Sequence, residues 1–149
     1  VDARIIRIFN TYGPRMRKHD GRVISNFINQ ALENQPLTVY GKGNQTRSFC
    51  YVSDLVEGIV KTMFTDETKG EVLNLGNPEE YRVLDLAKKI KVLTHSGSEI
   101  TYGELPEDDP GQRQPDINKA KKLLGWQPRV SVEEGLNKTI EYYRTLHIA

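Results

Sequence analysis

Three arginines could bind an anionic ligand, and each lies close to a predicted turn or element end: Arg22, Arg47 and Arg113. A guanidinium is planar and donates hydrogen bonds in pairs, so it suits the clustered negative charges of a nucleoside diphosphate. The alternative is that each is a solvated surface charge, which is the common state of an arginine in a folded protein. The residue types alone leave both interpretations open.

Polar residues also follow an apolar strand near the start of the sequence. Residues 4–9 are rich in isoleucine, as in a buried strand, whereas the Gly13-Pro14 pair continues neither a strand nor a helix. The strand is therefore predicted to end at Asn10 and Thr11. Ligands of open α/β sheets bind beyond the carboxyl ends of the strands, which places these two residues at the mouth of such a crevice. The alternative is a plain turn whose polar side chains bind its own backbone.

The hydrophobic pattern predicts alternating helices and strands, and so an α/β fold. Apolar residues recur at helical spacing in five segments: 21–34, Ser53 to Met63, about 84–93, 116–125 and from Ser131 onward. Further strands are predicted at 37–40, 47–52, 71–75 and 99–102. Gly41 to Gly43 is predicted to form a hairpin-like turn, and the acidic, proline-rich residues 103–115 an irregular loop.

Capping patterns mark the ends of three predicted helices. Ser53 can cap the helix that follows it, with Asp54 as a favourable negative charge near its positive end. Asp116 is predicted to cap a short helix that ends at Gly125, and Ser131 to Glu134 is a capping box for the last helix. The inward face of the Ser53 helix is predicted to hold Leu55, Val56, Ile59, Val60 and Met63.

Length and charge limit the classes of protein that this sequence can encode. With 149 residues it can form one domain of ordinary size, or one piece of a larger domain. The 21 basic and 20 acidic residues are interspersed, which argues against nucleic acid or an anionic membrane as a partner. No apolar run approaches the roughly 18 residues of a membrane span. Cys50, the lone cysteine, excludes an internal disulfide and fits a reducing compartment, and no metal site is predicted.

Several motifs in order resemble the nucleotide-sugar branch of the extended short-chain dehydrogenases, which are NAD-dependent epimerases and dehydratases, and within it the decarboxylases that act on UDP-glucuronate. The motifs are Arg7–Met16, Asp20–Arg22, Ser25–Phe27, Thr38–Phe49, Tyr51–Leu55, Asn74–Glu80, Asp108–Asp116 and Gly125–Pro128. The resemblance covers nearly the whole chain. It implies the C-terminal part of a Rossmann-like NAD-binding fold, together with a small mixed α/β lobe that binds the substrate.

The resemblance also implies a reaction and the residues that serve it. UDP-glucuronate would lose carbon dioxide through a 4-keto sugar and give UDP-xylose, with one hydride taken up and returned by NAD. The residues that would contact NAD are Thr11, Arg17 and Arg22. Those that would contact the UDP-sugar are Asn10, Thr38, Tyr40, Arg47 and Arg113.

Arg113 is the catalytic residue that the resemblance implies. The family assigns its counterpart as a proton donor, yet a guanidinium with a pKa above about 12 is a poor acid near neutral pH. We expect Arg113 instead to position the carboxylate or the diphosphate and to stabilise developing enolate charge. The alternative is that Arg113 only pairs with Asp108 or Asp109 on the loop surface.

Two family motifs do not occur in this sequence: the glycine-rich dinucleotide fingerprint and the Tyr-x-x-x-Lys pair that transfers protons. In the family's order both would precede Val1. Residues 1–149 are therefore expected to be a C-terminal portion, inactive alone, that lacks the dinucleotide-binding half. The parent is expected to be a homodimer in the cytoplasm, or in the Golgi lumen if an upstream anchor is present.

Two alternative functions stay open. One is a fragment of a related nucleotide-sugar 4,6-dehydratase or 4-epimerase, although the Asp-Pro-x-x-Arg-x-Pro-Asp loop favours a decarboxylase. The other is a non-catalytic module that binds a UDP-sugar or a protein partner.

Overall fold

The computed structural model describes residues 1–104 and 111–148. Its helices are α1 (Val23–Leu32), α2 (Val52–Phe64), α3 (Val83–Thr94), α4 (Asn118–Leu124) and α5 (Val132–Ile148). Its strands are β1 (Ile5–Ile8), β2 (Thr11–Tyr12), β3 (Leu37–Tyr40), β4 (Thr46–Ser48), β5 (Cys50–Tyr51), β6 (Val72–Leu75), β7 (Glu80–Arg82), β8 (Ile100–Gly103) and β9 (Gln112–Arg113). Helices and strands alternate along the chain, so the predicted α/β class is confirmed.

Parallel pairing dominates the contacts between strands. β1 pairs with β6, β2 with β5 and β3 with β8, all in parallel. A further sheet has the order β7-β4-β9, in which β4 is antiparallel to β7 and parallel to β9. Parallel strands need long crossover connections, and the helices between the paired strands supply them.

The predicted hairpin at Gly41 to Gly43 is wrong. β3 and β4 belong to different sheets and do not pair with each other. The Gly41 N–H extends the β3–β8 ladder by donating to the Gly103 carbonyl, whereas the Gly43 carbonyl accepts from the Leu84 N–H of α3. Both glycines have positive φ and turn the chain from one sheet into the other. The partner strand lies far along the chain, so local turn rules could not identify it.

Two buried clusters account for the helical patterns of the sequence. The first lies among α1, α3, α5 and β3 and includes the fully buried Phe27, Leu86 and Tyr143. The second lies where α2 and α4 cover β6, and it includes Leu73 and Trp126. The amphipathic helices thus bury their apolar stripes against separate sheets.

Asp54 lies in the first turn of α2, as predicted, and it also has a role that the sequence did not indicate. Its side chain is 4% exposed, and Oδ2 accepts the backbone N–H groups of Arg129 and Val130 at 2.9 Å each. The Trp126 indole donates to the Asp54 carbonyl at 2.9 Å. Ser53 is not the cap, since α2 begins at Val52. The start of α2 therefore anchors the segment that leads from α4 into α5.

Part of the predicted inward face of α2 is exposed. Leu55 is buried, but Val56, Val60 and Met63 are about half exposed or more, at 51%, 49% and 63%. In β1, Ile5 and Ile8 are likewise 55% and 58% exposed, and among the described residues only β6 pairs with this strand. Apolar surface therefore remains on both elements.

None of the described helices combines the length and apolarity that crossing a bilayer requires.

The remaining helix ends follow the predicted patterns closely. The Asp116 carboxylate accepts the N–H of Asn118 at the start of α4, and Gly125 ends that helix in the left-handed conformation. Ser131 accepts the Glu134 N–H, as half of a capping box. Residues 103–115 were predicted to be irregular throughout, which is wrong because β9 lies within them. Asp108 and Asp109 lie outside the described residues.

Gly135 offers a test of the packing between α5 and the strand ends. A Cβ atom at this position would lie 2.8 Å from Tyr12 Cζ and 2.9 Å from Tyr51 Cδ2. Gly135→Ala is therefore expected to destabilise the chain by about 1–3 kcal/mol, because overpacking outweighs the helix propensity of alanine. Urea unfolding measures the change.

Asn137→Ala is the matched control, since Asn137 is exposed on the same helix. Its effect on the free energy of unfolding should stay within about 0.5 kcal/mol. Equal stability of Gly135→Ala and the parent chain would contradict the close packing.

Candidate functional site

A cleft of ≈ 350 Å³ opens beyond the carboxyl end of β1. Its volume lies at the lower end of the range of small-molecule sites. The cleft is bordered by the turn after β1, α1, β3, β4 and β9, and its polar lining consists of Asn10, Thr11, Arg22, Asn26, Gln30, Thr38, Tyr40, Gln45, Arg47 and Arg113. All the residues predicted to bind ligand therefore line one cleft, with the exception of Arg17.

The turn after β1 is held in place by backbone hydrogen bonds. The Asn10 carbonyl accepts the Cys50 N–H at 2.8 Å, and Thr11 pairs with Cys50 in the β2–β5 ladder. The Thr11 hydroxyl donates to the Phe9 carbonyl at 2.9 Å. These hydrogen bonds fix the backbone of Asn10 and Thr11 at the edge of the cleft.

Two of the arginines are neighbours on adjacent strands. Arg47 in β4 and Arg113 in β9 are register partners in a parallel ladder, so their side chains share one face of the sheet. Arg47 is 8% exposed, and its Nη1 donates to the Thr46 carbonyl at 2.7 Å. Arg113 is exposed. Two guanidinium groups on one face suit a ligand with clustered negative charge.

Arg22 and Arg17 differ in position. Arg22 lines the cleft, where its Nε pairs with the Asp20 carboxylate at 3.0 Å and its side chain is 62% exposed. Arg17 is exposed and does not line the cleft. Its backbone is anchored instead, because the Tyr143 hydroxyl donates to the Arg17 carbonyl at 3.3 Å and to the Met16 carbonyl at 2.9 Å. Burial raises the pKa of Tyr143 to about 12.

The wall formed by α1 and β3 includes residues that the sequence analysis missed. Gln30 accepts the Thr38 N–H at 3.2 Å, and its amide nitrogen lies 3.4 Å from the Thr38 hydroxyl. Gln45 donates to the carbonyl of Tyr40, whose side chain is 48% exposed. Gln30 follows Asn26 by one helical turn, so the two residues lie on the same side of α1. Two polar residues at this spacing could have indicated from the sequence that this side of the helix lines a site.

The floor of the cleft is apolar, with Tyr12, Phe27 and Phe49 among its residues. Such a floor lowers the local dielectric and strengthens the field of the arginines. Burial also raises the pKa of Tyr12, whose hydroxyl donates to the Val132 carbonyl at 3.3 Å.

No carboxylate or histidine occurs among the described residues that line the cleft. The described lining can therefore bind an anion but offers no ordinary general base.

Comparisons with known proteins show the family to which this chain is related. The family model described as GDP-mannose 4,6 dehydratase matches residues 1–139. UDP-glucuronic acid decarboxylase 1 of Xenopus tropicalis is 56% identical over 97% of this chain and 34% of its own length. UDP-glucuronic acid decarboxylase 6 of Arabidopsis thaliana is 53% identical over 97% of this chain and 41% of its own length. The chain thus spans about a third to two fifths of these relatives.

Two solved structures are similar over nearly all of the chain. UDP-glucose 4-epimerase from Thermotoga maritima, crystallised with UDP-glucose, gives a TM-score of 0.90 at 33% identity, over 95% of this chain and 46% of that one. UDP-glucuronic acid 4-epimerase from Bacillus cereus, in complex with UDP-glucuronic acid and NAD, gives 0.91 at 33% identity, over 98% and 46%. These likenesses confirm the predicted Rossmann-like fold class.

The family match covers most of the chain, and the relatives carry the names that the motifs implied. The chain therefore belongs to the GDP-mannose 4,6-dehydratase family, within the extended short-chain dehydrogenases.

Proposed function

We propose that this chain is the sugar-nucleotide-binding part of a UDP-glucuronate decarboxylase, an NAD-dependent carboxy-lyase that forms UDP-xylose. The observation that carries the proposal is the placing of Arg22, Arg47 and Arg113 around one cleft beside Asn10. The names of the relatives support the choice of substrate. The position of Arg47 and Arg113 on one face of the sheet supports a pyrophosphate in the cleft.

In this proposal, different cleft residues contact different parts of the ligand. Arg47 binds the diphosphate from its buried position in β4, while Asn10 contacts the sugar at the strand end. Thr38 and Tyr40 lie along the nucleotide. Arg113 positions the carboxylate or the diphosphate and stabilises the enolate that forms when carbon dioxide leaves.

The cofactor site would be shared with residues outside this sequence. Thr11 and Arg22 line the cleft and are the proposed contacts to NAD, and the Arg22 guanidinium is a donor that fits the negative pyrophosphate of this cofactor. Arg17, which lies outside the cleft, stays only a proposed contact from the resemblance. When bound, NAD supplies the acceptor and donor of the hydride at C4 of the sugar.

The dinucleotide-binding half is proposed to cover the apolar surface of β1 and α2. Parallel sheets are normally covered on both faces, yet Ile5 and Ile8 are more than half exposed. The exposed Val56 and Val60 of α2 are also typical of an internal interface. The parent is proposed to be a homodimer in the cytoplasm or, with an upstream anchor, in the Golgi lumen.

Two other functions have an observation in their favour. The likeness to a UDP-glucose 4-epimerase structure favours an epimerase or 4,6-dehydratase parent. The lack of an ordinary base among the described lining residues favours a binding module for the chain alone. Incubating the full-length parent separately with UDP-glucuronate and UDP-glucose distinguishes the enzymes. Release of carbon dioxide from the first supports the decarboxylase, and turnover of the second alone would exclude it.

Arg47→Ala is expected to weaken UDP binding by about tenfold to hundredfold, since hydrogen bonds to a charged group are lost. Isothermal titration calorimetry on the chain measures the affinity, and thermal unfolding checks that the variant is folded. Arg82→Ala is the matched control, because Arg82 is exposed in β7 and does not line the cleft. If Arg47→Ala bound UDP as tightly as the parent, the diphosphate role of Arg47 would be abandoned.

The isolated chain is expected to bind UDP but to release no carbon dioxide from UDP-glucuronate, even with NAD added. The reason is that its described cleft lining lacks an ordinary base and its sequence lacks the glycine-rich fingerprint. A carbon dioxide assay on the purified chain measures this, with full-length parent as the positive control. Decarboxylation by the isolated chain would refute the proposal that the reaction also needs the dinucleotide-binding half.

A further inference from the structure

A carboxylate joins two strands on the face of the β7-β4-β9 sheet opposite the cleft. Glu80 in β7 accepts a hydrogen bond from the Thr46 hydroxyl at 2.6 Å through Oε1. Its Oε2 accepts one from the Gln112 amide at 2.9 Å. Thr46 and Gln112 are register partners in the β4–β9 ladder. One carboxylate therefore connects both strands, with one oxygen for each.

The connected residues are the direct neighbours of the two cleft arginines. Arg47 follows Thr46, Arg113 follows Gln112, and the two arginines are themselves register partners. Side chains alternate between the two faces of a strand. The arginines consequently face the cleft, while Glu80, Thr46 and Gln112 connect the strands on the opposite face of the sheet.

Few other described contacts fix the register of β9. Its pairing with β4 consists of two residue pairs. Beside these, the Thr46 N–H donates to the Gly111 carbonyl at 3.0 Å, the Ser48 hydroxyl donates to the Arg113 carbonyl at 3.1 Å, and the Gln114 amide donates to the Pro78 carbonyl at 2.9 Å. A slip of one residue would move Arg113 to the reverse face of the sheet, because the side-chain period of a strand is two.

We propose that Glu80 is a positioning residue for the diphosphate site, which fixes the register of β9 against β4 and so holds Arg113 beside Arg47. The inference rests on the proposed role of Arg47 at the diphosphate, and of the two groups proposed for Arg113 it takes the diphosphate as the one that this arginine contacts. Glu80 does not line the cleft, so it acts on the ligand through Arg113.

The test is a double-mutant cycle on the whole chain, with UDP affinity measured by calorimetry. Glu80→Ala is expected to weaken UDP binding roughly tenfold, in line with the loss of two charge-assisted hydrogen bonds that hold β9. In the Arg113→Ala background the same change should alter affinity less than about twofold, because its target is already removed. A general structural role would weaken binding equally in both backgrounds.

Two further variants separate the geometry from the charge. Glu80→Gln keeps an acceptor for the Thr46 hydroxyl and, with its amide nitrogen turned toward the Gln112 amide oxygen, a second hydrogen bond, so it should restore most of the affinity. Glu79→Ala removes the same charge from the neighbouring residue, whose carboxylate accepts the Tyr81 hydroxyl. That control should leave UDP affinity unchanged.

Hydrogen exchange gives a second measurement that needs no ligand. The Thr46 amide, which bonds across the ladder to Gly111, should exchange roughly tenfold faster in Glu80→Ala. The Leu37 amide, which donates to the Glu99 carbonyl, should not change.

Unchanged exchange at Thr46, or an equal loss of affinity with and without Arg113, would overturn the role of Glu80. If the parent chain bound no UDP, the proposed function would fail, whereas selective exchange at Thr46 would still support the positioning of β9.

Discussion

The register between β4 and β9 is the constraint on which the cleft depends. It brings Arg47 and Arg113 side by side, although they lie far apart in the sequence. Like charges on neighbouring strands repel each other, and the apolar floor of the cleft reduces the screening of that repulsion. In the proposed function, the diphosphate of the ligand places negative charge beside both guanidinium groups and offsets that repulsion.

Rules that act over a few residues were sufficient to locate much of the cleft. Asn10 and Thr11 follow from the position of an apolar strand before a Gly-Pro turn, and they line the cleft as predicted. β3 and α1 follow from clear hydrophobic periods, and their positions are confirmed. β9 could not be predicted, because a strand of two residues has no period and its partner is distant.

Asp54 and α2 show the same limit of local reasoning. A carboxylate near a helix start is ordinarily explained by the helix dipole, which is why Asp54 was interpreted in that way. Asp54 does lie in the first turn of α2, but its hydrogen-bond partners, the N–H groups of Arg129 and Val130, lie 75 and 76 positions further along the chain. The periodicity of α2 correctly indicated a helix, but it could not show that Val56 and Val60 remain exposed. Long-range contacts decide both outcomes.

The hydroxyl of Tyr143 ties α5 to the carbonyls of Met16 and Arg17, across more than 120 positions of sequence. Met16 lines the cleft, so the border of the cleft depends on a helix near the carboxyl end. During synthesis on the ribosome, this border cannot close while α5 is still inside the exit tunnel. The segment between β2 and α1 therefore gains its contact with α5 only after α5 has left the tunnel.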